Sequence, residues 1–230
     1  VKLIAIQQSN YIPWKGYFDI IRSVDEFIIY DDVQYTRRDW RNRNRIKTPA
    51  GLLWLTIPVK VKGRYHQLIR ETETAGGSWA EKHWKAICIN YSGTPFFDEY
   101  KSLFEESYRK ASELQMLSEI NLLFINLVNS ILGINTRISF AESYNPSGVK
   151  SDRILSICRN AGANEYLTGP SGLSYLDSEK FAAEGIKITT ADYSGYPEYN
   201  QPWPPFSHYV SIIDLIFCEG GESLKYMKKF

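Results

Sequence analysis

The first thirty residues constrain the fold more than any other stretch of the chain. Leu3–Gln7 is a short apolar run, residues 16–23 bring Phe18, Ile20 and Ile21 to one helical face, and Asp25–Tyr30 is a second apolar run ending at the acidic pair Asp31-Asp32. Apolar runs this short, separated by a loop through Pro13 and a brief amphipathic segment, predict strand, helix, strand. Two strands joined through a helix with tight connections lie parallel, and their crossover is right-handed. A parallel pair needs both faces covered, so the rest of the chain must supply helices to both sides of a sheet.

It has the pattern to do so. Residues 33–50 are expected to form a basic, polar connection, followed by a strand over Leu52–Val59 with Tyr65–Arg70 pairing nearby. Helices are expected over 78–91, 95–110 and 114–132. The last carries Leu117, Ile120, Leu123, Phe124, Leu127 and Ile131 at helical spacing before Gly133, a C-terminal stop. The α/β rhythm then resumes: strand Thr136–Ala141, helix Ser151–Asn160, strand Glu165–Leu167, helix Leu176–Glu184 and strand Ile186–Thr190. A Pro-rich loop at 196–205 precedes helices over Tyr209–Cys218 and Glu222–Lys228. The expected architecture is one α/β domain over residues 1–230, a mostly parallel Rossmann-like sheet flanked by helices, with a helical insertion near 78–132.

Composition narrows the function. A formal net charge of +1 argues against bulk electrostatic attachment to nucleic acid or a membrane surface. Cys88, Cys158 and Cys218 lie far apart in apolar stretches of predicted helix, which fits buried thiols in a reducing compartment rather than a disulfide framework. The opening VKLIAIQQ turns polar too soon for a signal peptide. No apolar run approaches the ~18 residues that span a bilayer. A cytoplasmic protein without membrane insertion is expected. The 16 Tyr, 11 Phe and 6 Trp exceed what the core alone suggests, and ring faces beside Arg and Asn suit sugars and bases.

Three motifs carry candidate chemistry. Gln7–Phe18 fills the turn from strand to helix where open α/β sheets bind ligands. There Gln8, Asn10, Tyr11, Trp14, Lys15 and Gly16 are candidate phosphate or substrate contacts at a helix N-terminus, against the plain alternative that Trp14 plugs the core. Asp31 and Asp32 at a strand end are candidate bases. The arginines that follow, with Arg38, Trp40, Asn42, Arg43, Arg45 and Lys47 as candidate contacts, suit an anion, unless they form a solvated loop paired with Asp31, Asp32 and Asp39. Thr168–Gly172 is a turn in which Gly169, Ser171 and Gly172 are candidate pocket residues, and no histidine stands beside Ser171 to make it a nucleophile. Lys150–Arg153 opens a helix like a phosphate-binding start, although Asp152 is also a plain cap.

His66, His83 and His208 form no metal-ligand spacing. His83 reads as a helix-surface residue, and His208 as the general-base candidate among them. Asp214 in an apolar helix needs a buried partner, for which an arginine of the basic segment is the expectation.

The P-W-K-G-Y turn between strand and helix resembles, in layout, the H-x-G-H element of the nucleotidylyltransferase superfamily, with Trp14 and Tyr17 at the histidine places. The shared layout implies nucleotide binding without that mode of phosphate activation. A second resemblance spans nearly the whole chain. It rests on Q-x-x-Y-I-P-W-K-G-Y-F-D, D-D-V-Q-Y-x-x-R-x-W-x-N-R-N-R-I-K, W-L-T-I-P-V, N-Y-S-G-T-P-F-F at 90–97, Y-L-T-G-P-S-G at 166–172 and S-I-I-D-L-I-F-C-E-G at 211–220. These motifs are similar to those of the WbqC-like protein family, whose members are typically encoded with enzymes making O-antigen and related surface glycans. Gln7-Gln8-Ser9 stands where that family often has His-Gln-Pro, so a histidine base is not implied there.

The resemblance implies an enzyme of bacterial surface-polysaccharide (lipopolysaccharide) biosynthesis. The expected partner is a nucleotide-linked amino sugar or another phosphorylated small molecule, and the expected chemistry is acyl or aminoacyl transfer from a donor the sequence does not identify. An ATP-dependent nucleotidylyltransferase or ligase, and a non-catalytic nucleotide- or glycan-binding module, stand as alternatives. No resident metal is expected, Mg2+ entering only with a nucleotide. Nucleic acid is not the expected partner, and a homo-oligomer is compatible with the sequence.

Overall fold

The computed structural model describes all 230 residues, Val1–Phe230. In chain order its elements are β1 (Leu3–Gln7), α1 (Lys15–Ser23), β2 (Glu26–Ile29), β3 (Arg43–Thr48), β4 (Gly51–Thr56), α2 (Trp79–Tyr91), α3 (Phe97–Glu113), α4 (Leu117–Ile131), β5 (Arg137–Phe140), α5 (Lys150–Asn160), β6 (Glu165–Thr168), α6 (Pro170–Leu173), α7 (Ser178–Ala183), β7 (Lys187–Thr190) and α8 (Ile212–Glu219).

Five strands form one all-parallel sheet in the order β5-β2-β1-β6-β7. The period of two along each strand sorts the core into two layers. Ala5, Phe27 and Ile29 face a cluster with α1, α8 and the α2–α4 insertion, while Ile4, Ile6 and Ile28 face α5 and α7 on the other side. Both faces are therefore apolar and covered, as parallel strands require. The sheet grows from β1 through β2 to β5 in one direction, then restarts at β6 on the other side of β1. Loops leaving the carboxyl ends of β1 and β6 diverge at that switch point and open a crevice between them.

The α2–α4 insertion matches the expected helical segment, and Gly133, at φ +65°, ends it in the left-handed region that favours glycine. Two expectations need correction. The basic segment is not all connection: Arg43–Thr48 is a strand, paired antiparallel with β4 in a separate hairpin whose register sets Arg45 opposite Trp54. Tyr65–Arg70 forms no strand, only a single bridge from Leu68 to Gln34 and a 3-10 turn at Ile69–Glu71. The C-terminal segment Gly220–Tyr226 is likewise 3-10. No helix is long and apolar enough to cross a membrane.

His83 is not a surface residue. It is buried on α2, its Nδ1 lies 2.9 Å from the Tyr11 hydroxyl, and burial pulls its pKa from 6.5 to about 4. The unfolded chain takes up this proton near pH 6.5 while the folded chain resists until about 4, so acidification through that window favours unfolding. A shift of that size corresponds to about 3 kcal/mol. Unfolding free energies measured above pH 6.5 and near pH 4 should therefore diverge less in His83→Gln than in the parent. Identical pH slopes in the two proteins would refute this role.

Candidate functional site

The crevice at the switch point is a cleft of about 410 Å³. Gln7, Gln8, Asn10 and Trp14 reach it from the loop after β1, Thr168, Gly169, Ser171 and Gly172 from the turn after β6, and Tyr30, Tyr175 and Tyr193 from the flanks. Arg41 enters from the segment before β3, with one guanidinium nitrogen donating to Asn10 Oδ1, another 3.5 Å from Asp39, and its Nε buried without a partner. The lining combines aromatic, amide and hydroxyl side chains with one cation.

Trp14 shapes the loop. It is the N-cap of α1, extended at φ −75° and ψ 166°, and no side chain caps the helix. Its indole folds back over the first turn and meets Tyr193 edge-on at 5.0 Å and Tyr209 nearly parallel at 6.2 Å. A Cβ at Gly16 would stand 2.7 Å from two indole carbons, so Gly16 makes room for Trp14 rather than for a ligand backbone. At Gly172 a Cβ would likewise run into the Thr168 hydroxyl, which holds the β6 turn tight.

Several candidate residues serve the fold instead of the cleft. Tyr11 is fully buried, its hydroxyl shared between His83 Nδ1 and Tyr108 at 2.9 Å each. Lys15, 3% exposed, turns inward: its Nζ has no hydrogen-bond acceptor and sits 4.4 Å above the Tyr196 ring and 5.4 Å above Tyr199. Burial brings its pKa down to about 8, against the opposing pull of Asp19 and Asp214. Asp31 is buried and accepts from Ser9 N (2.8 Å), Ser9 Oγ (2.6 Å) and Ser118 Oγ (2.7 Å); burial raises its pKa and those bonds oppose the rise. It clamps the β1 loop to α4. His208 packs among Phe206 and Tyr196 with its Nδ1 unpartnered, its pKa lowered first by burial and then by Lys15, and it does not line the cleft.

The basic segment divides by strand period. Asn42 and Asn44 point inward, donating to Ile57 O (2.8 Å) and to Tyr11 O and Ile12 O (3.1 and 2.8 Å). Lys47 is buried, its Nζ donating to Pro205 O. Arg43 and Arg45 point outward and lie on indoles rather than against carboxylates: Arg43 is 4.2 Å from the Trp54 ring, and Arg45 is 5.2 Å from Trp54 and 5.3 Å from Trp40. Arg38, at φ +58°, offers its carbonyl to Arg43. Trp40 leans on Trp54 at 5.4 Å and walls a second cavity beside Trp14.

Asp32 differs from its neighbour. One oxygen is 2.5 Å from Arg153 Nη2, and Oδ1 is buried with no partner. Tyr30, two residues before Asp32, and Ile154, next to Arg153, line the cleft, so the pair stands behind that lining; burial pushes the Tyr30 pKa up to about 12. The start of α5 is thus tied to the site through Arg153, while Asp152 pairs with Lys180 at 2.6 Å. Asp214 has no arginine partner. Tyr91 (2.7 Å), Tyr199 (2.5 Å) and Gln201 (2.8 Å) donate to it, and burial raises its pKa. Cys158 and Cys218 are buried, the first with its thiol pushed up to about 12 by burial. No group of three or more His, Cys, Asp and Glu side chains gathers as a metal site. A larger groove of about 560 Å³ between α2 and α3 lies apart from the switch point, and its Glu106 and Arg109 pair with each other.

The sequence model of the WbqC-like protein family matches residues 8–226, which takes in the cleft residues from Gln8 to Tyr193. The chain belongs to the WbqC-like protein family. This WbqC-like chain is also 48% identical over 228 residues to the "Uncharacterized protein Rv1507c" of Mycobacterium tuberculosis (strain ATCC 25618 / H37Rv), covering 99% of the chain and 98% of that protein. No solved structure matches it. The WbqC-like motifs at the β1 loop, the basic segment and the β6 turn meet at one crevice. Tyr30, Tyr175 and Tyr193 complete it, and none of the three sits at a spacing that marks it as a site residue in sequence.

Proposed function

We propose that this WbqC-like protein is an enzyme of bacterial surface-polysaccharide biosynthesis that acts on a nucleotide-linked amino sugar, transferring an acyl or aminoacyl group to the sugar amine. One observation carries the proposal: the β1 loop, the β6 turn and Arg41 converge on an aromatic-walled cleft at the switch point of a parallel sheet, the place where such sheets hold nucleotides. Arg41 is the group that meets a diphosphate. Tyr193, Tyr175 and Trp14 offer ring faces to the base or sugar.

Asp31 is committed to Ser9 and Ser118, so of the two carboxylates Asp32, whose Oδ1 is unpartnered and which stands behind the cleft residue Tyr30, is the one assigned to the acceptor. In the transfer the amine nitrogen attacks the acyl carbonyl, its proton passes to Asp32, and the donor's leaving group departs with the electron pair of the broken acyl bond. The adenylating alternative gains nothing from Tyr17, which is buried with its hydroxyl donating to Gln8 O at 3.1 Å.

Calorimetric titration with UDP-, GDP- and dTDP-linked amino sugars tests the assignment. At least one is expected to bind, and Arg41→Ala to weaken it at least about tenfold. No heat with any of them, or unchanged affinity in Arg41→Ala, would remove the proposal. With a bound sugar nucleotide in hand, Asp32→Asn is expected to keep affinity and lose turnover, whereas a pure binding module has no turnover to lose.

A further inference from the structure

A second cavity of about 280 Å³ adjoins the cleft, lined by Asn10, Pro13, Trp14, Trp40, Asn44 and Tyr209. Asn10 and Trp14 line both spaces, so one ligand can cross the Trp14 indole from the first into the second. The chemistry of the two differs. The cleft holds the Arg41 cation, while the second cavity has no charged lining residue and three aromatic walls. Those walls are braced: Trp14 is fixed over Gly16, and Trp40 rests on Trp54 with Arg45 against both rings. Trp40 is nonetheless 40% exposed and Tyr209 67% exposed, so aromatic faces stay open to solvent at the mouth.

The polar groups set the remaining requirement. Asn44 is spent, its Nδ2 on Tyr11 O and Ile12 O and its Oδ1 on Arg45 N at 2.8 Å. Asn10 gives its Oδ1 to Arg41, which orients the amide and leaves Nδ2 without an acceptor in the protein. The occupant must be uncharged, flat-faced enough to lie on indole rings, and able to accept one hydrogen bond. We infer that the second cavity is a subsite for an N-acylated pyranose, its C–H face on Trp14 and Trp40 and its amide carbonyl accepting from Asn10 Nδ2. The subsite rests on the proposed reading of the cleft as the nucleotide end of the same ligand.

Titrations of the parent protein, Trp40→Ala and Tyr209→Ala with three probes separate the claims: methyl N-acetylhexosaminides, the free nucleoside diphosphates UDP, GDP and dTDP, and their N-acetylated amino-sugar conjugates. Both substituted side chains are partly in solvent, so the fold is expected to survive, and circular dichroism checks it. Trp40→Ala should weaken the conjugate about tenfold and leave the free diphosphate unchanged. Equal weakening of diphosphate and conjugate, or of neither, overturns the subsite while leaving nucleotide binding intact. If no nucleotide binds but a methyl glycoside does and depends on Trp40, the subsite stands and the nucleotide reading falls. No Trp40-dependent binding of any sugar probe overturns the subsite outright.

Discussion

Asp214→Ala is expected to lower the unfolding free energy by about 3–5 kcal/mol, because its three donors would lose the acceptor they share, at about 1–3 kcal/mol for each one left unsatisfied. Asp214 is wholly buried on α8 and accepts from Tyr91, Tyr199 and Gln201. Tyr91 accepts in turn from Lys47 N at 2.9 Å, which ties α8 and α2 to the β3–β4 hairpin. Alanine would leave two tyrosine hydroxyls and an amide facing a void, and would take from Lys15 one of the two carboxylates that offset its burial. Asp214→Asn keeps one acceptor and the volume, and is expected to lose about half as much. Urea denaturation with an unchanged m-value is the measurement. A loss below about 1 kcal/mol for the alanine variant would show that water or relaxation satisfies the orphaned donors and that the network is not a stabilising unit.

Gly16→Ala is expected to cost about 1–3 kcal/mol and to disable both cavities together. The new methyl would overlap the Trp14 indole, and the ring cannot yield without leaving Tyr193 and Tyr209. Because Trp14 is the wall shared by the cleft and the second cavity, its displacement alters both. A double-mutant cycle isolates the cause: once Trp14→Ala has removed the ring, adding Gly16→Ala should cost little more than Trp14→Ala alone. Additive losses would place the strain at Gly16 elsewhere than on the indole. Loss of ligand affinity without loss of stability would instead mean that the ring moves freely and that its position matters only to binding.

The elements of the fold were legible because their signals are local. The short apolar runs at Leu3–Gln7 and Asp25–Tyr30 need no distant residue to be recognised, and the same is true of the helical spacing in α4. Tyr65–Arg70, expected to pair as a strand, and β3 were the exceptions. Arg43, Arg45 and their alternating asparagines carry a strand's period, but with polar side chains on both faces, so no apolar face marks the strand. The inward face is satisfied by backbone carbonyls of the β1 loop and the outward face by indoles, and both partners come from other segments.

Site residues divide along the same line. The sequence by itself determined the α/β rhythm, the mostly parallel sheet with candidate ligand turns after β1 and β6, and the family whose motifs those turns carry. Only the tertiary structure decided that Arg41 enters the cleft while Lys15 and Tyr11 turn into the core, that Asp31 is a clamp and Asp32 is not, and that Tyr30, Tyr175 and Tyr193 join them. The physical reason is range. Backbone periodicity is set by neighbours a few residues apart, whereas the direction of a polar side chain is set by whichever distant acceptor, ring or carboxylate the folded chain brings within hydrogen-bonding distance.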